Sequence, residues 1–258
     1  MADQNTQPSP TPPPRASSGF PALAITVIAT GAVVLILLIM AGSMLVARAK
    51  AQEAARRASC MGSICQIRMA MLQYADDHDN RFMPLVDIEG KVCPVVFDRD
   101  GAERWDTEVL RQHARSGFAL LLKEGYLTTT MVFICPSSGD RMPPDTFPTD
   151  FEAAPLKDLL LGENNCSYGW DPTKKHTADA TCAILAEKPR KTPGKEGTVA
   201  NNSQNHNDKG QNISYNDGHV KWATTPKPDA GDDPDIYTGS VEPGKEYWKS
   251  TWDAKIIR

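Results

Sequence analysis

Between Arg15 and Arg48 the chain carries no charged residue, and from Ala22 to Val46 it reads ALAITVIATGAVVLILLIMAGSMLV. A bilayer core takes about 20 apolar residues in a helix. A cleaved secretory segment usually has an apolar region of only about 7–15 residues. A helix buried in a soluble core is rarely apolar on every face for so long. The run therefore predicts a transmembrane helix within residues 19–47.

Two features bear on which side the rest lies. Arg48, Lys50, Arg56 and Arg57 follow the span, while only Arg15 closely precedes it. That bias, taken alone, places the C-terminal bulk in the cytoplasm. The six cysteines argue the other way, because they suit an oxidising compartment. The extracytoplasmic orientation is the expectation adopted. The net charge of −4 gives no general reason to expect a nucleic-acid partner.

Residues 1–18 hold five prolines among Ser, Thr and Gln, a composition with nothing to bury, and predict a disordered or polyproline II tail. Ser17 or Ser18 can cap the membrane helix, with Pro21 in its first turn, where a missing N–H costs nothing. No proline follows until Pro84. Beyond the span, Ala54, Ala58, Met61, Cys65, Leu72 and Ala75 form an apolar stripe interrupted only by Arg68. Ile64, Ile67, Met71 and Tyr74 form a second stripe beside it. One helix from Pro21 to Ala75 is predicted, roughly 80 Å long at 1.5 Å per residue, ending at Asp76–Asn80. Residues 48–80 are its amphipathic extension.

Residues 81–258 break into short segments. Val92–Phe97, Val132–Cys135, Thr181–Ala186 and Ile213–Tyr215 suggest strands, and Gly117–Glu124 a short helix with Phe118, Leu121 and Leu122 on one face. Asn216-Asp217-Gly218 is a tight-turn signal, with His219–Trp222 as the returning strand. Long polar loops are expected at Gly139–Pro155 and Lys188–Asn205. The fold class expected is α+β: a long N-terminal helix packed on a small antiparallel sheet with long loops.

Several of these residues occur in a recognisable order. Ala58-Ser59-Cys60-Met61, Ile64-Cys65-Gln66-Ile67 and Tyr74-Ala75-Asp76-Asp77 come first. Phe133-Ile134-Cys135-Pro136-Ser137 and Ser167-Tyr168-Gly169-Trp170 follow. His206 then precedes Asp217-Gly218-His219-Val220-Lys221-Trp222, and Asp235-Ile236-Tyr237-Thr238 comes last. This series resembles a prepilin-type (pilin-like, pseudopilin) family with an H-x9-DG element, of planctomycete and verrucomicrobial type. Ten residues, not nine, separate His206 from Asp217 here, and Ser63 and Cys65 stand where the family has Asn and Lys. The resemblance covers about residues 45–238. It implies a single-pass protein of a bacterial inner membrane with a periplasmic C-terminal domain. It also implies a structural or interaction subunit of a type II secretion or type IV pilus-like assembly, associating with itself or with other pilin-like subunits through the N-terminal helix. The N-terminus departs from the family. Gly19-Phe20 is followed by Pro21-Ala22-Leu23-Ala24, so Ala24 replaces the glutamate that pilin assembly uses, and the tail is expected to be retained. A membrane-tethered periplasmic binding module that no longer assembles is the alternative.

Candidate sites are few. Cys60, Cys65, Cys93, Cys135, Cys166 and Cys182 contain no C-x-x-C pair, which argues against a zinc ribbon. Cys60 and Cys65 point about 140° apart on a helix and should not pair with each other. Either can tie the helix to the domain, with Cys135 the natural partner, and Cys60–Cys135 is the candidate disulfide. His206, Asp217 and His219 can be assembled on paper into a catalytic or metal trio. The turn chemistry of Asn216, Asp217 and Gly218 is the simpler reading, with His206 merely ending a loop. No nucleophile–base signature is present, and no enzyme activity is expected. Gly239–Lys245 spells most of a phosphate loop, but Glu246 stands where Ser or Thr must hold magnesium, and no apolar strand precedes it. Asp229, Asp232, Asp233 and Asp235 crowd one loop, the oxygen-rich setting calcium prefers. Gly231–Ile236 also resembles the calcium loop of major type II secretion pseudopilins. Calcium is the only cofactor entertained.

Overall fold

The computed structural model describes residues 22–87, 89, 91–93, 96–97, 103–104, 115–142, 147–172, 174–190, 198–227, 235–237 and 256, with backbone alone at 22–24, 96–97 and 103–104. The proline-rich tail, Asp229, Asp232, Asp233 and Gly239–Lys245 lie outside these residues. The chain divides into two units, residues 1–50 and 51–258. The helix α1 (Ala22–Asp77) contributes residues to both. In the first unit, every residue from Ile25 to Lys50 is exposed. This stretch is long and apolar enough to cross a membrane.

In the second unit α1 is one-sided. Cys60, Ile64, Ile67, Met71 and Tyr74 recur at spacings of four and three and are buried, joined by Arg68, Ala70 and Ala75. The buried face is thus centred on the second predicted stripe. Ala54 and Ala58 of the first stripe are exposed. Isoleucine, methionine and aromatic side chains outweigh alanines in burial energy, so the stripe of Ile64, Ile67, Met71 and Tyr74 sets the helix rotation. Arg68 does not interrupt the packed face; it is 1% exposed and belongs to it. At the C-terminus Asp79 and Asn80 take left-handed φ of 54° and 59°, and Asn80 N–H donates to Ala75 O at 2.8 Å. Asx residues tolerate that conformation and so end the helix there.

The sheet has strands β3 (Tyr168–Trp170), β4 (Ala183–Glu187), β5 (Gln211–Tyr215) and β6 (Val220–Ala223), in the order β3-β4-β5-β6 with every neighbour antiparallel. This, with α1, is the α+β architecture expected. A separate two-stranded pair joins β1 (Val96–Phe97) to β2 (Glu103–Arg104). The helix α2 (Ser116–Lys123) buries Phe118, Leu121 and Leu122. Phe118 packs against Phe133, with ring centroids 5.3 Å apart.

Val132–Cys135 is not a strand. Met131–Phe133 forms a 3-10 turn that still buries Val132 and Phe133. Three apolar residues are too few for periodicity to separate a turn from a strand. In the polar loop expected at Lys188–Asn205, the end, Asn201, Asn202, Ser203 and Asn205, is buried. Side chains of this segment donate to backbone carbonyls. Ser203 Oγ donates to Lys188 O at 2.8 Å, and Asn205 Nδ2 donates to Ser167 O at 3.1 Å.

Candidate functional site

The chain enters β5 through a tight left-handed turn. His206, Asn207 and Asp208 have φ of 56°, 56° and 58°. His, Asn and Asp are the non-glycine residues that adopt this region most readily, but each still costs about 1–3 kcal/mol. Gly210 closes the turn at φ 148°, where a Cβ would collide with Ala223 O and the Trp222 ring, so no other residue fits. The effect is to drive the His206 side chain fully into the interior. His206 was read from sequence as a residue that merely ends a loop; its complete burial corrects that.

Four elements converge on the imidazole. From α1, Glu53 Oε1 lies 2.6 Å from Nδ1. From the end of β4, Glu187 Oε1 lies 3.0 Å from Nε2. Cys135 Sγ, disulfide-bonded to Cys60 of α1, lies 3.4 Å from the same nitrogen. Trp222 of β6 meets the ring edge-on, with centroids 5.3 Å apart. The carboxylates have further partners. Ser137 Oγ donates to Glu53 Oε2 at 3.0 Å, and Arg57 pairs with Glu53 at 3.5 Å while lying 4.1 Å above the Trp222 ring. Asn212 Nδ2 donates to Glu187 Oε1 at 2.9 Å, whereas Glu187 Oε2 is buried without a hydrogen-bond partner.

Burial by itself pulls the His206 pKa down, but hydrogen bonds and charge from Glu187 and then Glu53 outweigh it and hold the ring above its ordinary value. Burial pushes the Glu53 carboxyl up, but the bonds from His206 and Ser137 and the charges of His206 and Arg57 bring it below the usual range. With a carboxylate oxygen within hydrogen-bond distance of each ring nitrogen, the arrangement favours an imidazolium that donates to both. No hydroxyl or thiolate nucleophile among the described residues hydrogen-bonds to the histidine. Among the described residues, Cys60, Cys135, Glu187 and His206 are grouped closely enough to share a metal ion.

The predicted turn lies at the other end of β5. Tyr215 N–H donates to His219 O at 3.0 Å, Gly218 N–H donates to Tyr215 O at 3.0 Å, and Gly218 has φ 90°. Asn216 is buried and receives Arg68: Nη2 donates to Asn216 O at 2.7 Å and to Oδ1 at 3.0 Å. Asp217 and His219 pair on the surface, with Nδ1 and Oδ1 2.5 Å apart. Five residues of β5, about 17 Å at strand rise, separate this pair from His206, so the trio of His206, Asp217 and His219 is not assembled. Of the acidic loop, Asp235 is buried, accepts the Tyr237 N–H at 2.9 Å and receives the Asn201 amide. The Cys60–Cys135 bridge is present, with Cα atoms 5.3 Å apart, while Cys65, Cys93, Cys166 and Cys182 are not disulfide-bonded.

Glu53, Glu187, Arg57 and Trp222 were not singled out from sequence as site residues. A signal existed for Glu53, the only acidic residue between Asp3 and Asp76. Glu187 terminates an otherwise apolar strand, where a charge needs a partner. Compared with known proteins, the chain matches no family model, no curated protein and no solved structure.

Proposed function

We propose that the chain is a membrane-anchored pilin-like subunit, a structural or interaction component of a pilus-like or secretion-related assembly, with its head outside a bacterial inner membrane. The observation that carries the reading is the change of character along α1. Residues Ile25–Lys50 are exposed and overwhelmingly apolar, while residues 60–75 of the same helix form the spine of an α+β head. An apolar helix of that length has to be covered by lipid or by neighbouring helices. Gly31 and Gly42 have nothing within 4 Å of a Cβ position, which leaves room for a close helix partner.

Two features support the outward orientation. The Cys60–Cys135 disulfide suits an oxidising compartment. Arg57, one of the basic residues counted after the span, is committed to Glu53 and Trp222 in the head. Its position answers to folding as well as to topology. Ala24, standing where pilin assembly uses glutamate, favours the second reading, a tethered binding module that does not assemble.

A photo-crosslinking residue at Val34 or Leu38, in membranes of cells making the chain with a C-terminal reporter active only outside, tests both points. An active reporter and a ladder of homotypic crosslinks are expected. An active reporter with monomer only would move the reading to the tethered module, and an inactive reporter would overturn the orientation.

A further inference from the structure

The ligand atoms of Cys60, Cys135, Glu187 and His206 lie within 4.8 Å of one another, and all four residues are buried. Tetrahedral zinc, with bonds of about 2.0–2.3 Å to N, O and S, sets ligand-to-ligand edges of about 3.3–3.8 Å. His206 Nε2 stands 3.4 Å from Cys135 Sγ and 3.0 Å from Glu187 Oε1. The cluster thus has the size and donor chemistry of a two-cysteine, one-histidine, one-carboxylate zinc site, except that its sulfurs are bonded to each other.

Two independent features point to a cation. Glu53 Oε1 engages Nδ1 of His206 at 2.6 Å and leaves Nε2 directed at the sulfur, the carboxylate–histidine arrangement that orients metal-binding imidazoles. Glu187 Oε2 is fully buried with no hydrogen-bond partner, an acceptor that the oxidised cluster does not satisfy.

We propose that reduction of the Cys60–Cys135 disulfide converts this cluster into a site for one Zn²⁺ or a similar divalent cation, held by both thiolates, His206 Nε2 and Glu187, with Glu53 as the positioning residue. The electrons come from a dithiol or phosphine reductant, which is itself oxidised. The S–S bond breaks and two S–H bonds form. The cation then displaces three protons, one from each thiol and one from His206 Nε2. The two states differ by one buried charge. An imidazolium between two carboxylates carries one net negative charge, whereas a dication among two thiolates, two carboxylates and a neutral imidazole carries two, with Arg57 3.5 Å from Glu53 as the nearby countercharge. Disulfide and metal are alternative ways of joining α1 to the sheet, and the metal form belongs to the chain before oxidation or after reductive challenge. The proposal does not depend on the pilin-like reading.

The test uses the full chain in detergent micelles, reduced by a water-soluble phosphine in mild denaturant until all six cysteines titrate as thiols. It is then returned to native buffer and titrated with Co²⁺, then Zn²⁺. One Co²⁺ per chain is expected, with the charge-transfer absorption of two thiolates and the visible bands of tetrahedral cobalt, all abolished by Zn²⁺. The oxidised chain should show neither. Cys65, Cys93, Cys166 and Cys182 are also thiols under these conditions. Cys135→Ser should accordingly lose one thiolate's absorption and at least tenfold in affinity, while Cys93→Ser should change nothing. Glu53→Gln should weaken binding about 10–100-fold, the usual effect of losing an outer carboxylate, yet keep the two-thiolate spectrum. If Cys135→Ser does not fold, the unaltered chain still decides. Absence of stoichiometric Co²⁺, an octahedral spectrum without thiolate absorption, or undiminished binding by a folded Cys135→Ser would overturn the proposal.

Discussion

Strand β5 is gripped by α1 at both ends, and the two grips differ in kind. At the turn end, Arg68 donates to the backbone and side-chain oxygens of Asn216, while Asn216 Nδ2 donates to His176 O at 2.9 Å and to Ala178 O at 2.6 Å. One cation meets neutral acceptors, and burial pulls the Arg68 guanidinium down to about 10, so it stays charged at neutral pH. At the other end, an imidazolium lies between Glu53 and Glu187 against a disulfide, with one carboxylate oxygen left over. The first arrangement also leaves one buried group over, Arg68 Nη1, beside the Phe82 ring that the guanidinium covers, but it holds no group that changes its bonding. The second holds redox-active sulfur, exchangeable protons and surplus acceptor capacity. Buried polar groups of the first kind specify how the helix docks, whereas those of the second can also answer to chemistry.

The sharpest way to break the comparison is at the charged end. His206→Ala leaves two carboxylates near one another without their shared cation, and breaking a buried pair in that way costs about 3–5 kcal/mol. Opening the disulfide with Cys60→Ser releases a constraint across a sequence separation of 75 residues, for which the chain-entropy estimate is about 4 kcal/mol. The groups touch, so the effects should not add. Denaturant unfolding of the full chain in micelles, followed by tryptophan fluorescence, measures both. A loss below about 1 kcal/mol for His206→Ala, the range of a surface ion pair, would return this residue to the loop-ending role.

Arg68→Met tests the neutral grip. Methionine refills much of the volume, but the oxygens of Asn216 lose their donor, at about 2–3 kcal/mol. The same unfolding measurement reads it, and Asn216→Ala in the Arg68→Met background should add less than it costs alone. Full additivity would mean that the two side chains do not act as one unit.

The legibility of the two ends differs for a physical reason. The hairpin was readable because Asn-Asp-Gly encodes a turn locally, through positive φ at Gly218 and the Asp217 side-chain bond to the His219 N–H at 3.0 Å. The span and the helix were readable because 3.6-residue periodicity and unbroken hydropathy are also local. The charged grip was not. Its residues, Glu53, Cys135, Glu187 and His206, lie up to 153 positions apart, and no spacing rule connects them. Arg68 was visible as an exception to an apolar stripe but not as a partner of Asn216. Segment 201–205 was legible as polar but not as buried, because composition reports polarity, not whether the polar groups find partners inside.

Gly218→Val probes the turn itself. With φ at 90° and nothing within 4 Å of its Cβ position, only backbone strain opposes the substitution. The expected cost is about 1–2 kcal/mol, the lower part of the range for side chains held at such angles. Trp222 emission should report fraying of β6, because its ring packs between Arg57 and His206. A variant as stable as the parent would show that the grips at either end, not the turn, hold the hairpin closed.

The smallest effect is expected at the most conspicuous pair. Asp217 and His219 read as site residues from sequence, and burial, which raises the Asp217 carboxyl, is outweighed by hydrogen bonds and charge from His219 that lower it. Both side chains are nonetheless 44% exposed, where water screens the pair. His219 also stacks on Tyr215 at 4.3 Å, so His219→Ala forfeits a little packing as well as the ion pair. The sum should not exceed about 1 kcal/mol, and 0.5 M salt should erase much of the electrostatic share, since the Debye length then falls to roughly 4 Å. His206→Ala should be much less sensitive to the same salt, because Glu187 is fully buried and Glu53 only 16% exposed. Measured side by side, the two histidines give the comparison its cleanest form: same residue type, thirteen positions apart, one held by an interior of charge and sulfur and one by the surface. A salt-independent loss at His219 matching that at His206 would mean that the turn end carries a buried electrostatic grip of its own.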